Sequence, residues 1–200
     1  MSDIHGNSVA TGFNAATMAP GQVPATPCEE LEEKNKNLRQ SLARDRKSPS
    51  IRGTFSKKGA STVAHASLNG GPPVGAGSRL LPTRYSKRVV KGLWNGKHKT
   101  KIKQRKSNLC PEPPYKYDKG YRPHQSHCES KILETLFAAT PKPTGTLLLN
   151  INWQSKGNPN DKNPCPACRD LLTHAQEECG LTIMLCGKDP KTPPKKFKPV

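Results

Sequence analysis

Two short motifs constrain this chain more than anything else in it: His127-Cys128-Glu129 and, further on, Pro164-Cys165-Pro166-Ala167-Cys168. One imidazole and two thiolates form a three-ligand set for zinc that leaves the fourth tetrahedral position to water. His127, Cys165 and Cys168 are therefore the expected ligands of one Zn2+ per chain. Residues two apart on a helix face different ways, which puts His127 at a helix start and Glu129 in the first turn. Ile132, Leu133, Leu136 and Phe137 recur at helical spacing and predict a helix over about Gln125–Ala139. A second helix is expected from Cys165 to about Glu178, with Leu171 and Leu172 inward. The positive end of a helix dipole favours deprotonated sulfur, so two helix starts converging on one metal is a physically sound arrangement.

A C-x-x-C pair alone also suits a structural zinc site or a redox pair. A structural site closes its fourth position with protein, and Cys128, Cys179 and Cys186 are the residues available for that. Cys128 shares a helical register with Ile132 and Leu136 and reads as buried and apolar. Cys179 and Cys186 flank an apolar run and read as core or surface thiols.

In this order, and with the proline, the motifs form the H-x-E…P-C-x-x-C signature of zinc-dependent nucleobase deaminases. The region from about Lys87 to Lys188 resembles the deaminase toxin domains of bacterial polymorphic toxin systems, relatives of the cytidine deaminase and APOBEC/AID superfamily. The residues that carry the resemblance are Ser126 to Glu134 and Asn163 to Leu172, with Leu147 to Trp153 between them as the expected strand. It implies an α/β fold, a cytidine-deaminase-like mixed sheet flanked by helices. It also implies conversion of cytosine to uracil in DNA, single strands being favoured, with RNA as the alternative target. Glu129 is then the carboxylate that shuttles protons. The resemblance further implies a secreted antibacterial effector acting in the cytosol of a target cell and matched by a cognate immunity protein.

A target base must leave its stack and be held by aromatic faces and polar groups. Trp153, Asn152, Tyr121, Ser126 and Pro164 are the candidates, with Tyr115 and Tyr117 as further walls. Each aromatic is equally open to a packing role. His124 is a supporting partner of the ligands or an exposed residue, and His174 a packing or solvent-facing one.

Composition limits how much of the chain is compact. Two hundred residues with 32% hydrophobic and 5% aromatic content and 20 prolines cannot bury a core along their whole length. This predicts a flexible basic region over residues 1–80 and the deaminase domain over 81–200. Met1–Ala25 lacks periodicity and the features of a secretory signal peptide, and no run approaches membrane-spanning length. One helix is expected near residues 27–46, with Thr26 as N-cap, Pro27 in the first turn and Glu29 at N3. Its face of Leu31, Leu38 and Leu42 is thin, which fits a solvated connector, or a helix that docks on a carrier protein. Ser61–Leu68 reads as a strand. Arg88–Trp94 and Lys97–Lys103 flank Asn95-Gly96, a strong hairpin signal, and are the expected first two strands of the sheet. Thr146–Trp153, Leu181–Cys186 and the tail Lys195–Val200 are expected to supply the next three.

The net charge is +18, and from Arg46 through Pro111 there are sixteen lysines and arginines and no acid. Such a run is either merely solvated or a surface for phosphates, which it would bind without reading sequence. Arg84, Lys87, Arg88, Lys91, Lys97, Lys99, Lys101 and Lys103 are the candidate backbone contacts. A zinc-stabilised nucleic-acid-binding module without turnover is the alternative of another class. The cysteines outside the zinc motifs show no paired spacing, which fits a reducing compartment.

Overall fold

A computed structural model of the chain describes residues 25–56, 61–79, 107–110, 115–117, 126–155 and 158–199. Its elements are α1 (Pro27–Ala43), α2 (Pro49–Phe55), β1 (Ser61–Leu68), β2 (Val74–Gly77), α3 (Cys128–Phe137), β3 (Gly145–Ser155), β4 (Asn158–Asp161), α4 (Pro166–Glu177), β5 (Leu181–Leu185) and β6 (Lys195–Lys196). The strands form one mixed sheet in the order β2-β1-β3-β5-β6, and β4 pairs with the end of β3. β3 is antiparallel to β1 and parallel to β5. A parallel pair requires a crossover, and α4 lies within it.

Strand alternation sorts β3 into two faces. Leu147, Leu149 and Ile151 join Ala64, Ala66 and Ile183 in a core closed by Ile132, Leu133 and Phe137 of α3 and Leu171, Leu172 and Ala175 of α4. Each leucine, isoleucine or phenylalanine among them contributes about 1.5–3 kcal/mol on burial. Leu148, Asn150 and Asn152 face the other way, toward α1.

α1 begins as its sequence dictates. The Thr26 hydroxyl accepts from the Glu29 backbone N–H at 3.2 Å while the Glu29 carboxylate accepts from the Thr26 N–H at 2.8 Å, a reciprocal capping box. The expectation of a solvated connector within a loose N-terminal region is corrected here. Cys28, Leu31, Asn35 and Leu42 are buried against the sheet, and β1 pairs with β3 along its whole length. The stripe looks thin because its middle is polar and meets polar residues. Asn35 donates to Asn150, His65 pairs with Asn35 at 2.9 Å, and Arg39 donates to Asn152 and Ser61. α2 adds Ile51 and Phe55 to a small cluster with Leu42 and Val63.

Among the described residues, the two strands that precede α3 come from residues 61–77; the expected strands Arg88–Trp94 and Lys97–Lys103 lie outside the described residues. β1 turns into β2 through Asn69 and Gly70, both at positive φ. Gly75 on β2 sits directly opposite His65, whose ring would collide with any Cβ there, 2.0 Å from Nε2. The tail contributes only the short β6, where Phe197 is buried.

Of the five cysteines other than Cys165 and Cys168, four are paired and Cys128 is free. A disulfide joins Cys28 in the first turn of α1 to Cys186 just after β5, and a second joins Cys110 to Cys179 at the end of α4. Spacing in sequence did not reveal pairs 158 and 69 residues apart, and the inference of a reducing compartment loses its basis. Among the described residues no helix is long and apolar enough to cross a membrane.

His65 makes a testable contribution to acid sensitivity. Burial, with Lys34 nearby, pulls its pKa down to about 4 from 6.5. The unfolded chain therefore takes up the proton first, and stability present above pH 6.5 is lost as pH falls toward 4. His65→Gln should lose less stability than wild type between pH 7 and 4 in thermal melts; equal acid sensitivity would contradict this account.

Candidate metal centre

Both motif helices start at the carboxyl end of β3. The Cys128 thiol in the first turn of α3 donates to the Thr62 carbonyl at 3.1 Å, and Thr62 is the cross-strand partner of Trp153. α4 begins after β4, which pairs with Trp153 to Ser155. His127 is the N-cap of α3 and Cys165 the N-cap of α4, both in extended backbone, and neither side chain caps its own helix. From these positions the ligand atoms face one another.

His127 Nδ1 lies 3.3 Å from Cys168 Sγ and 3.5 Å from Cys165 Sγ, and the three donor atoms lie within 4.8 Å of one another. Tetrahedral zinc with ligands at about 2.0–2.3 Å holds nitrogen and sulfur about 3.5 Å apart. The donor set and spacing fit such an ion, and these three residues can hold one metal.

The two sulfurs share a proton unequally. Cys165 is pulled down to about 4, chiefly by the hydrogen bond from the Cys168 thiol and against the effect of burial, with His127 adding to the shift. Cys168 is pushed well above the ordinary thiol value by that same bond, then by burial and by Glu129. For His127, burial pulls the pKa down, but the bond to Cys165 and the charges of Glu129 and Cys165 together raise it. Glu129 is 4% exposed beside the cluster, and burial raises its pKa, so the carboxyl is disposed to hold a proton.

The three cysteines able to close a structural site are each committed elsewhere. Cys128 is fully buried, its thiol bonded to Thr62 and its pKa raised by burial, as its register predicts. Cys179 and Cys186 are in disulfides. Among the described residues the His/Cys/Cys group therefore has no fourth histidine, cysteine or carboxylate ligand.

The substrate candidates divide. Ser126 and Pro164 flank the ligands in sequence, half-buried and buried respectively, and Trp153 is half-buried at the end of β3. Asn152 is excluded from this side, because it faces α1, where Arg39 holds its Oδ1 at 2.9 Å. Asn152 and Trp153 are neighbours on one strand, and alternation sends them to opposite faces. Tyr117 is a packing residue: its hydroxyl donates to the buried Glu134 at 2.7 Å, and burial and that carboxylate raise its pKa. Tyr115 packs on Tyr117 and His174, and His174 itself pairs with the Cys110 carbonyl. Tyr121, His124 and the eight candidate backbone contacts from Arg84 to Lys103 lie outside the described residues.

Lys131 was given no role by its sequence. It stands four residues after His127, and burial pulls its pKa down to about 8. Its ammonium donates to the Gly77 carbonyl at 2.7 Å and to that of Arg79, while the Arg79 N–H donates to Ser126. The end of β2 is thus pinned beside the start of α3. A lysine inside an otherwise apolar helical stripe was the available signal.

The chain matches no protein-family model, no curated protein and no solved structure.

Thiolate ligation makes metal binding a proton-releasing event. Zinc affinity, measured by competition with a chelator, should weaken as pH falls from 8 to 6, because the proton on Cys168 must be displaced; a pH-independent affinity would contradict ligation by these sulfurs.

Proposed function

We propose that this protein is a zinc-dependent deaminase that converts cytosine to uracil in DNA, with single strands favoured, and that it serves as a secreted antibacterial effector. The observation that carries the reading is the group of His127, Cys165 and Cys168 at two helix starts, with Glu129 buried beside it and the remaining cysteines engaged elsewhere. After α1 and α2 the elements run β1, β2, α3, β3, β4, α4, β5 and β6, with one motif opening each of α3 and α4, and this order supports a cytidine-deaminase-like sheet to which β4 and two N-terminal helices are added.

Zinc in an open three-ligand site lowers the pKa of water to about 7, and that is the chemistry it would supply when held by His127, Cys165 and Cys168. Glu129 then takes the proton from the attacking water, delivers it to the ring nitrogen, and passes a proton to the departing amino group. A bond from oxygen to C4 forms, the bond from C4 to nitrogen breaks, and uracil and ammonia result. Burial suits Glu129 to this work, because a carboxyl that holds its proton more readily can return it. Trp153, Ser126 and Pro164 are the described candidates for the pocket walls.

Cytosine over adenine and DNA over RNA rest on the resemblance, with RNA as the alternative substrate. The basic stretch supports a polyanionic substrate over a free nucleoside, since a surface of that charge binds phosphates by counterion release. An acidic immunity protein is the partner that charge complementarity favours. Disulfides accord with passage through an oxidising space before the target cell is reached.

Purified chain and its Glu129→Gln variant, incubated with single- and double-stranded DNA and with RNA and then sequenced, test the reading. Wild type should produce C-to-T changes in DNA, and the variant should be slower by about 10²–10⁴-fold while retaining zinc. Zinc and DNA binding without base conversion would favour the non-catalytic module.

A further inference from the structure

The loop that carries the first thiolate is fastened from the opposite side of the sheet. Lys162 precedes Cys165 by three residues, and its side chain is only 7% exposed. Its ammonium pairs with the Glu32 carboxylate of α1 and donates to Asn150 Oδ1 at 3.1 Å. Asn150 is on the α1 face of β3. Its amide donates to the Cys28 carbonyl at 3.2 Å, and its Oδ1 also accepts from Asn35 at 3.0 Å. Lys162 thus enters a buried polar knot formed by α1 and β3, whereas Cys165 opens α4 on the other face.

The crossing between the two faces has little slack. Three residues span about 10 Å at full extension. Pro164, itself buried, and Pro166 restrict the backbone on either side of Cys165. A shift of the Lys162 end is therefore passed to the sulfur.

We infer that Lys162 is a positioning residue of the metal centre, through which docking of α1 sets the place of Cys165. The inference rests on the metal-centre reading and goes beyond it, because it assigns a part in metal binding to a helix that supplies no ligand. A buried ion pair that served stability alone would leave metal affinity untouched.

Zinc affinity of the full chain, read by chelator competition beside thermal melting, tests it. Lys162→Met should weaken zinc binding by about 10–100-fold, the usual effect of losing a group that orients a ligand. Lys162→Arg, which keeps a cation in reach of Glu32 and Asn150, should restore most of the affinity. Glu32→Gln should show a smaller loss, and it carries the test if Lys162→Met does not fold. Leu42→Ala removes apolar packing from the same helix and should lower the melting temperature with affinity unchanged. Wild-type affinity in both Lys162→Met and Glu32→Gln, or an equal loss in Leu42→Ala, would overturn the inference. Absence of zinc binding by wild type would overturn the metal centre itself, an outcome distinct from loss in the variants alone.

Discussion

Packing of α3 and α4 on one face of β3 is the constraint on which the candidate site depends. Leu147, Leu149 and Ile151 seat both helices, and because both begin at the carboxyl end of that strand, their first residues meet. The ligands sit at the starts of regular elements held by a core. Helix starts also present unpaired backbone N–H groups and the positive end of the dipole, which favours deprotonated sulfur there. The same packing buries Glu129, so a single apolar interface both assembles the donors and sets the proton affinity of the group beside them.

The other face of the sheet is built on different physics. α1 is attached by a capping box, by a disulfide from its first turn, and by a polar layer in which Asn35, Arg39, His65, Asn150, Asn152 and Lys162 satisfy one another. Buried polar groups of this kind add less to stability than apolar packing of equal volume, but they tolerate one register only, since a shift by one residue leaves donors without acceptors. The helix is thereby located along the sheet to within a hydrogen bond. The position of β1, β2 and the loop before α4 follows from that register.

Much of the site was legible because its logic is local. Histidine and glutamate two apart require a helix start, and Ile132, Leu133 and Phe137 mark the buried side, so the bounds of α3 lie within three residues, and those of α4 within one, of where periodicity places them. α1 was legible as a helix from Thr26, Pro27 and Glu29, but its docking was not. Periodicity arguments count apolar residues, and the sheet face beneath α1 is polar. Asn69-Gly70 was a hairpin signal of the same kind as Asn95-Gly96, set in a segment whose glycines and prolines read as loose chain. The disulfides were illegible for another reason: pairing is a property of three-dimensional proximity, and the two pairs join distant parts of the chain. Asn152 has the residue type that a base edge would need, but its strand parity turns it toward α1 and Arg39.

His127, Cys165 and Cys168 meet at the convergence of two helices with a buried carboxyl beside them, and the chemistry proposed for the protein requires that a metal held there keep an open fourth position. X-ray absorption at the zinc edge of the purified chain measures it most directly. The account predicts two sulfurs at about 2.3 Å and two nitrogen or oxygen neighbours at about 2.0–2.1 Å, one of them exchangeable with added small ligands. Three or four sulfur neighbours, or a closed shell that admits no added ligand, would contradict it.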